Sequence, residues 1–294
     1  MLTSELEQDQ AAGLRYRGTS RPVRVIAVTG GKGGVGKTNV SINLAVAMAL
    51  DGKRVVLLDG DMGLANIDVL LGLKPKHNLS HVVKGELSLD DVIVHGPAGI
   101  RVIPGASGLQ EMASLGSVQH AGLINAFSGL GADIDTLVID TQAGISANVT
   151  SYSQAAQEVV VVLCDEPAAI TDSYALIKVL SRDYNVARFR IVSNMVNSSQ
   201  DGRTLFNKLL RVTDRYLDVA LDFVGAIPQD EFLKRAVQRQ KAVIDVYPRS
   251  KAAVALRKLA QKTYSWPMPT TAQGHMEFFL ERLIQVSRVS KGQI

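Results

Sequence analysis

Hydrophobic and polar positions along this chain fall into two repeating kinds of block. Short, continuous apolar runs recur from Val23 onward: VRVIAVTG at 23–30, RVVLLDGD at 54–61, GIRVIPG at 99–105, DTLVIDT at 135–141, EVVVVLCDEP at 158–167, RFRIVSNMV at 188–196 and DFVGAIPQD at 222–230. Such runs read as strands, and because they do not alternate apolar with polar, the strands are expected to be covered on both faces. Between them lie longer stretches with apolar residues at helical spacing, such as NVSINLAVAMALDGK at 39–53, SYALIKVLSRDY at 173–184 and GRTLFNKLLRVTDRYL at 202–217. Strand and helix in alternation predict an α/β fold with a mostly parallel, doubly wound sheet. Ligands of such sheets sit at the carboxyl ends of the strands, so the residues just after each run are the candidates for chemistry.

The ends break the pattern. Residues 1–22 are polar and ragged, a short helix and linker or a tail. After Ala260 the alternation weakens, WPMPTTAQG at 266–274 reads as a linker, and MEFFLERLIQVSRV at 276–289 has apolar residues near helical spacing. The expected organisation is an extension over 1–22, a main domain over 23–265, and a linker with an amphipathic helix over 266–294. Aromatic residues make up 5% of the chain, which disfavours a base-stacking surface for single-stranded nucleic acid. A net charge of +4 is too mild to point to a partner. One cysteine, Cys164, rules out an internal disulfide framework and reads as a buried core thiol. The acidic start, MLTSELEQDQ, does not resemble a signal peptide, and no apolar run approaches the roughly 20 residues needed to span a bilayer. A cytoplasmic protein is expected.

The chemistry begins at GGKGGVGKT, residues 30–38. Gly31 to Thr38 fits G-x-x-x-x-G-K-[ST] between a predicted strand and a predicted helix, which is the context a phosphate-binding loop requires. The backbone N–H groups of Gly31, Gly33, Gly34, Val35 and Gly36 can turn towards phosphates at a helix N-terminus. Lys37 would reach the β- and γ-phosphates, Thr38 would offer its hydroxyl to Mg²⁺, and Asn39 opens the helix beside them. Lys32 is not required by the plain motif. A second cation in the loop is a solvated surface charge, or it serves phosphate chemistry in another subunit, as an arginine finger does in trans.

The run KGGVGKT resembles the deviant Walker A signature of the MinD/ParA family of P-loop ATPases, and the resemblance extends from Val23 to about Ala260. It implies a MinD-like P-loop fold, ATP and Mg²⁺ as cofactors, and an ATP-dependent homodimer in which Lys32 contacts the partner's nucleotide while Lys37 serves its own. It also implies that Asp61, after the second strand, orients the attacking water in switch I, with Asp59 supporting the magnesium shell. Asp140 ends the Walker B-like run TLVID and would hold Mg²⁺. Gly144 gives the following segment freedom to move. The family often has DxPAG here, and Gln142 with Ala143 departs from it. In the family the asparagine at Asn194 and the segment Pro228 to Asp230 frame adenine. No NKxD-like guanine reader is present, so ATP is favoured over GTP.

No Ser-His-Asp or Cys-His arrangement is suggested, and His77 with His81 lacks a third metal ligand. The two ends point to a branch of the family. The N-terminal DQAAGLR resembles the partner motif of flagellar-number regulators of the FlhG/FleN type, carried by Asp9, Gln10, Ala11, Ala12, Leu14 and Arg15. The resemblance implies an FlhF-type GTPase and a FleQ/FlrA-type transcription activator as partners. For the C-terminal helix two readings stay open. It packs on the body or a dimer contact, or Phe278, Phe279, Leu283 and Ile284 face an anionic membrane. A MinD-like division-site regulator and a ParA-like partition ATPase are the alternatives. Direct nucleic-acid binding is not favoured, since the basic clusters at 203–215 and 234–241 read as solvated helix faces.

Overall fold

The structure, a computed structural model, describes residues 22–61, 66–105, 126–127, 129–130, 133–268, 279 and 281–283. Its centre is one sheet of eight strands: β1 Arg24–Thr29, β2 Val55–Gly60, β3 Val94–His95, β4 Arg101–Ile103, β5 Thr136–Thr141, β6 Glu158–Leu163, β7 Arg188–Val196 and β8 Ala220–Pro228, in the order β3-β4-β2-β5-β1-β6-β7-β8. Every pairing is parallel except β3 on β4. All residues of β1, β2, β5 and β6 are buried, which is why those runs are apolar throughout. Alternate residues of β1 still separate, with Ile26 and Val28 in one apolar cluster and Val25 and Ala27 in another.

The helices are α1 Lys37–Leu50, α2 Ile67–Leu71, α3 Leu79–Val83, α4 Leu89–Val92, α5 Ala147–Ala155, α6 Pro167–Arg182, α7 Ser199–Tyr216, α8 Glu231–Gln238, α9 Val243–Val246 and α10 Lys251–Thr263. Chain order steps from β1 towards β2 through α1, and in the opposite direction from β5 to β8 through α5, α6 and α7. Right-handed crossovers therefore put α1 on one face and α5, α6 and α7 on the other. α10 packs against both α1 and β8. α1 is covered on most of its circumference, and its buried Asn43 is satisfied by donating to Asn39 O and accepting from Ile244 N–H. Cys164, just past β6, is buried, and burial pushes its thiol up. Asn78 and His81 form a capping box on α3, so His81 has a structural role there.

Parallel strands bring their N-terminal ends to one edge, and there a charged clamp joins β1, β6, β7 and β8. The Arg190 guanidinium donates to Glu158 at 2.8 Å and to Asp222 at 2.5 Å, and lies 4.9 Å from the Trp266 ring. Arg24 donates to the Trp266 carbonyl at 3.0 Å.

At the C-terminus, Phe279 and Leu283 are 2% and 1% exposed and belong to the same apolar cluster as Val25 and Leu137. In this conformation these two side chains follow the first of the two open readings: apolar surface this fully removed from water is packed on the body. Phe278 and Ile284 lie outside the described residues. No helix among the described residues is long and apolar enough to cross a membrane.

Candidate nucleotide site

The loop from Gly30 to Gly36 joins β1 to α1 at the carboxyl edge of the sheet. Gly34 and Gly36 have φ of 82° and 89°, a left-handed backbone that side chains disfavour. Gly36 is the N-cap of α1 and supplies no side-chain cap, which leaves the first-turn N–H groups for an external anion. The loop is braced from below. Val35 is buried, and the Asn194 side-chain amide donates to Val35 O at 2.8 Å. On its other side Gly31 lies against α6, where a Cβ would come within 2.1 Å of the Asp172 backbone.

Below the loop the charges converge. Lys37 is buried, and desolvation lowers its ammonium while Asp140 and then Asp61 pull it back up. Asp140 accepts from Ser41 Oγ at 2.8 Å and from the Thr38 hydroxyl. Burial pushes the Asp140 carboxyl up to about 6, against the hold of Ser41, Thr38 and Lys37. Asp59 stands opposite Asp140 in the β2–β5 register. It accepts from the backbone N–H of Asp61, Asn66 and Ile67, and burial followed by the nearby Asp140 pushes it up to about 7. Two neighbouring buried carboxylates, of which Asp140 also faces Lys37, are an arrangement that a divalent cation relieves.

A cavity of about 540 Å³ opens above these groups. Gly33, Gly34, Gly36, Lys37, Thr38 and Asn39 line it, together with Asp61, Gln142 and Ala143. No cluster of three or more His, Cys, Asp or Glu able to hold a metal occurs among the described residues. The donor set here is a hydroxyl and a few carboxylates, which suits Mg²⁺ completed by phosphate oxygens and water. Gly144 has φ 93° and its N–H donates to Gly30 O at 3.0 Å, tying the segment after β5 to the start of the loop.

Other candidate residues lie outside this cavity lining. Lys32 lies outside the cavity lining, paired with Glu166 at 2.5 Å, and that carboxylate raises the ammonium. Asn194 lies under the loop rather than on the cavity wall, with its amide nitrogen held by Val35. Asp230 caps α8 through Phe232 N–H and accepts from Ala252 N–H, each at 2.8 Å, so its two oxygens tie α8 to α10. Pro228 ends β8 and lines a different groove. Asp9, Gln10, Ala11, Ala12, Leu14 and Arg15 lie outside the described residues. Sequence reasoning missed Ser41 and Glu166. Ser41 falls one helical turn after Lys37, a spacing that could have flagged it. Glu166 carries no such signal.

Residues 26–243 match the model of the CobQ/CobB/MinD/ParA nucleotide binding domain. The chain belongs to this family. Among relatives in it, antiactivator FleN of Pseudomonas aeruginosa is 58% identical over 272 residues, covering 92% of this chain and 97% of that protein. The flagellum site-determining protein YlxH of Helicobacter pylori is 34% identical over 238 residues, 81% of this chain and 80% of that one. The septum site-determining protein MinD of Pyrococcus horikoshii, solved with Mg-ADP, matches with a TM-score of 0.66 at 25% identity, over 83% of this chain and 96% of that chain. The matched span takes in the loop, α1 and both buried carboxylates.

Proposed function

We propose that the chain is an ATP-dependent dimerising switch that limits flagellar number, restrains a FleQ/FlrA-type transcription activator and stimulates an FlhF-type GTPase. The observation that carries the flagellar reading is its 58% identity to antiactivator FleN over nearly the whole of that protein. ATP binds through the loop, with Lys37 on its phosphates. Thr38 and Asp140 would hold Mg²⁺, with Asp59 behind them, and the ion would supply neutralisation of phosphate charge. Asp61 positions water for a slow hydrolysis that resets the switch, and Gln142 sits on the same cavity and tunes the segment after β5. Lys32 leaves Glu166 and reaches the nucleotide of a second copy, so that ATP couples to dimerisation. The segment from Asp9 to Arg15 is the contact for the GTPase.

The test is light scattering coupled to size exclusion, with ATP and Mg²⁺, on Asp61→Ala and on Asp61→Ala combined with Lys32→Ala. The expected result is a dimer that needs ATP and vanishes without Lys32. A monomer in both, or a dimer indifferent to ATP and to Lys32, would leave an ordinary P-loop ATPase in place of the switch.

A further inference from the structure

The sheet ends at β8, whose outer edge has no strand partner among the described residues. A groove of about 550 Å³ runs along that edge between α7 and α10. Arg203, Arg249, Lys251, Lys258 and Lys262 surround it, and no Asp or Glu lines it. None of the five forms an ion pair with a carboxylate among the described residues. Lys262 instead donates to the edge carbonyl of Val224 at 2.8 Å. The two walls differ in character. On the α7 side, the Phe223 ring lies 5.4 Å from Phe206 and 5.3 Å from the Arg203 guanidinium. On the α10 side, Lys251, Lys258 and Lys262 stand one above another at near-helical spacing, beside the exposed Val254. Lysines along an edge ordinarily keep other strands away. Here they also offer one charged wall and one partly apolar wall to any strand that enters.

The chain carries a segment with that pattern. In LTSELEQD, residues 2–9, the carboxylates Glu5, Glu7 and Asp9 recur every second residue, and Leu2 and Leu6 fall on the alternate positions. In an extended strand, period two puts all the carboxylates on one face and both leucines on the other. No lysine or arginine precedes Arg15. β8 is three strands from β1, roughly 15 Å across the sheet. The residues between Asp9 and Val23 span up to about 40 Å when extended, enough to reach.

We infer that residues 2–9 of this same chain add as a strand to the outer edge of β8, with Glu5, Glu7 and Asp9 towards the lysines of α10 and Leu2 and Leu6 towards Phe223. Main-chain hydrogen bonds to the open edge give the affinity, and the two walls select the face. The docked segment overlaps the Asp9–Arg15 motif, so docking and GTPase contact compete for one tail. Only that consequence rests on the switch reading above; the docking itself does not need ATP or dimerisation.

The test is zero-length carbodiimide coupling of the full-length protein without nucleotide, with the linked peptides mapped by mass spectrometry. Amide links are expected from Glu5, Glu7 or Asp9 to Lys251, Lys258 or Lys262, within one chain and at a yield independent of protein concentration. The links should fall to background in high salt. Lys251→Glu with Lys258→Glu should deprotect residues 2–9 and 223–226 in hydrogen exchange, and adding Glu5→Lys and Glu7→Lys should restore protection. A tail that never couples to these lysines overturns the inference. So do links found only between chains, which would make a second copy the occupant. Duplex DNA retained by the wild type and lost in the double lysine variant, with the tail uncoupled, would assign the groove to nucleic acid and overturn it as well.

Discussion

At the scale of single residues, the site depends on atoms that must be absent and on charges with nowhere to go. Gly36 holds φ 89°, and a Cβ there would meet the Asn194 amide at 2.3 Å. The left-handed backbone alone costs a residue with a Cβ about 1–2 kcal/mol. Gly36→Ala should therefore weaken nucleotide binding by about tenfold or more, read by titration of a fluorescent nucleotide. An unchanged affinity would show that the brace from Asn194 is slack. Asp59 gives a pH prediction. Its folded value of about 7 lies above the 3.8 it has unfolded, so the folded state holds the proton more tightly. The stability this confers is complete below about pH 4 and is lost as pH rises through 7. Without nucleotide, the melting temperature of Asp59→Asn relative to wild type should shift in the variant's favour between pH 5 and pH 8. A constant difference would place the Asp59 carboxyl in a wetter setting. Lys37, Thr38 and Asp140 could be read from sequence because a phosphate loop imposes spacing and strand context on them. The placements of Asn194 and Asp230 could not, because an amide or carboxylate near a strand end serves a ligand or a backbone N–H equally well, and only packing decides. Lys32 was legible as an extra cation, but its contact with Glu166, distant in sequence, was not.

Among the elements, the strands were the most legible, since burial on both faces leaves continuous apolar runs with few alternative readings. The predicted runs around β1, β2, β5, β6, β7 and β8 fall within a few residues of the observed strands. The two-residue β3 escaped notice because Val94–His95 is too short to carry a period. The helix that begins at Ser199 was expected from Gly202, because its Ser198 cap, which accepts from Asp201 N–H, looks like loop composition. What holds β6, β7 and β8 at their N-terminal ends is less visible in sequence: Arg190 and Glu158 are both nearly buried, with side-chain exposures of 7% and 9%. Removing one partner strands the other charge in a dry setting, at a cost of about 3–5 kcal/mol. Arg190→Ala should lower unfolding stability in urea by that order. Arg190→Met combined with Glu158→Gln should recover much of the loss. Equal losses in both variants would mean that the guanidinium contributes chiefly by packing on Trp266.

For the whole molecule, the family and its topology follow from one loop and an alternation of strand and helix, but the assembly does not. A single chain shows Lys32 held by its own Glu166 on an exposed surface. To serve a second subunit, that lysine must leave this partner. Glu166→Gln should thus shift the proposed ATP-dependent dimer to lower protein concentration in light scattering, with Lys32→Ala as the opposite extreme. A dimer unaffected by Glu166→Gln would mean that the pair opens freely on its own. The buried Cys164, its thiol raised by desolvation, has a practical consequence. As the one sulfhydryl in the sequence, and a sluggish one, it leaves the surface blank to maleimides. One engineered thiol at a time, at the Lys32 loop or on the β8 groove, can then carry a fluorophore or a spin label whose signal has a single origin.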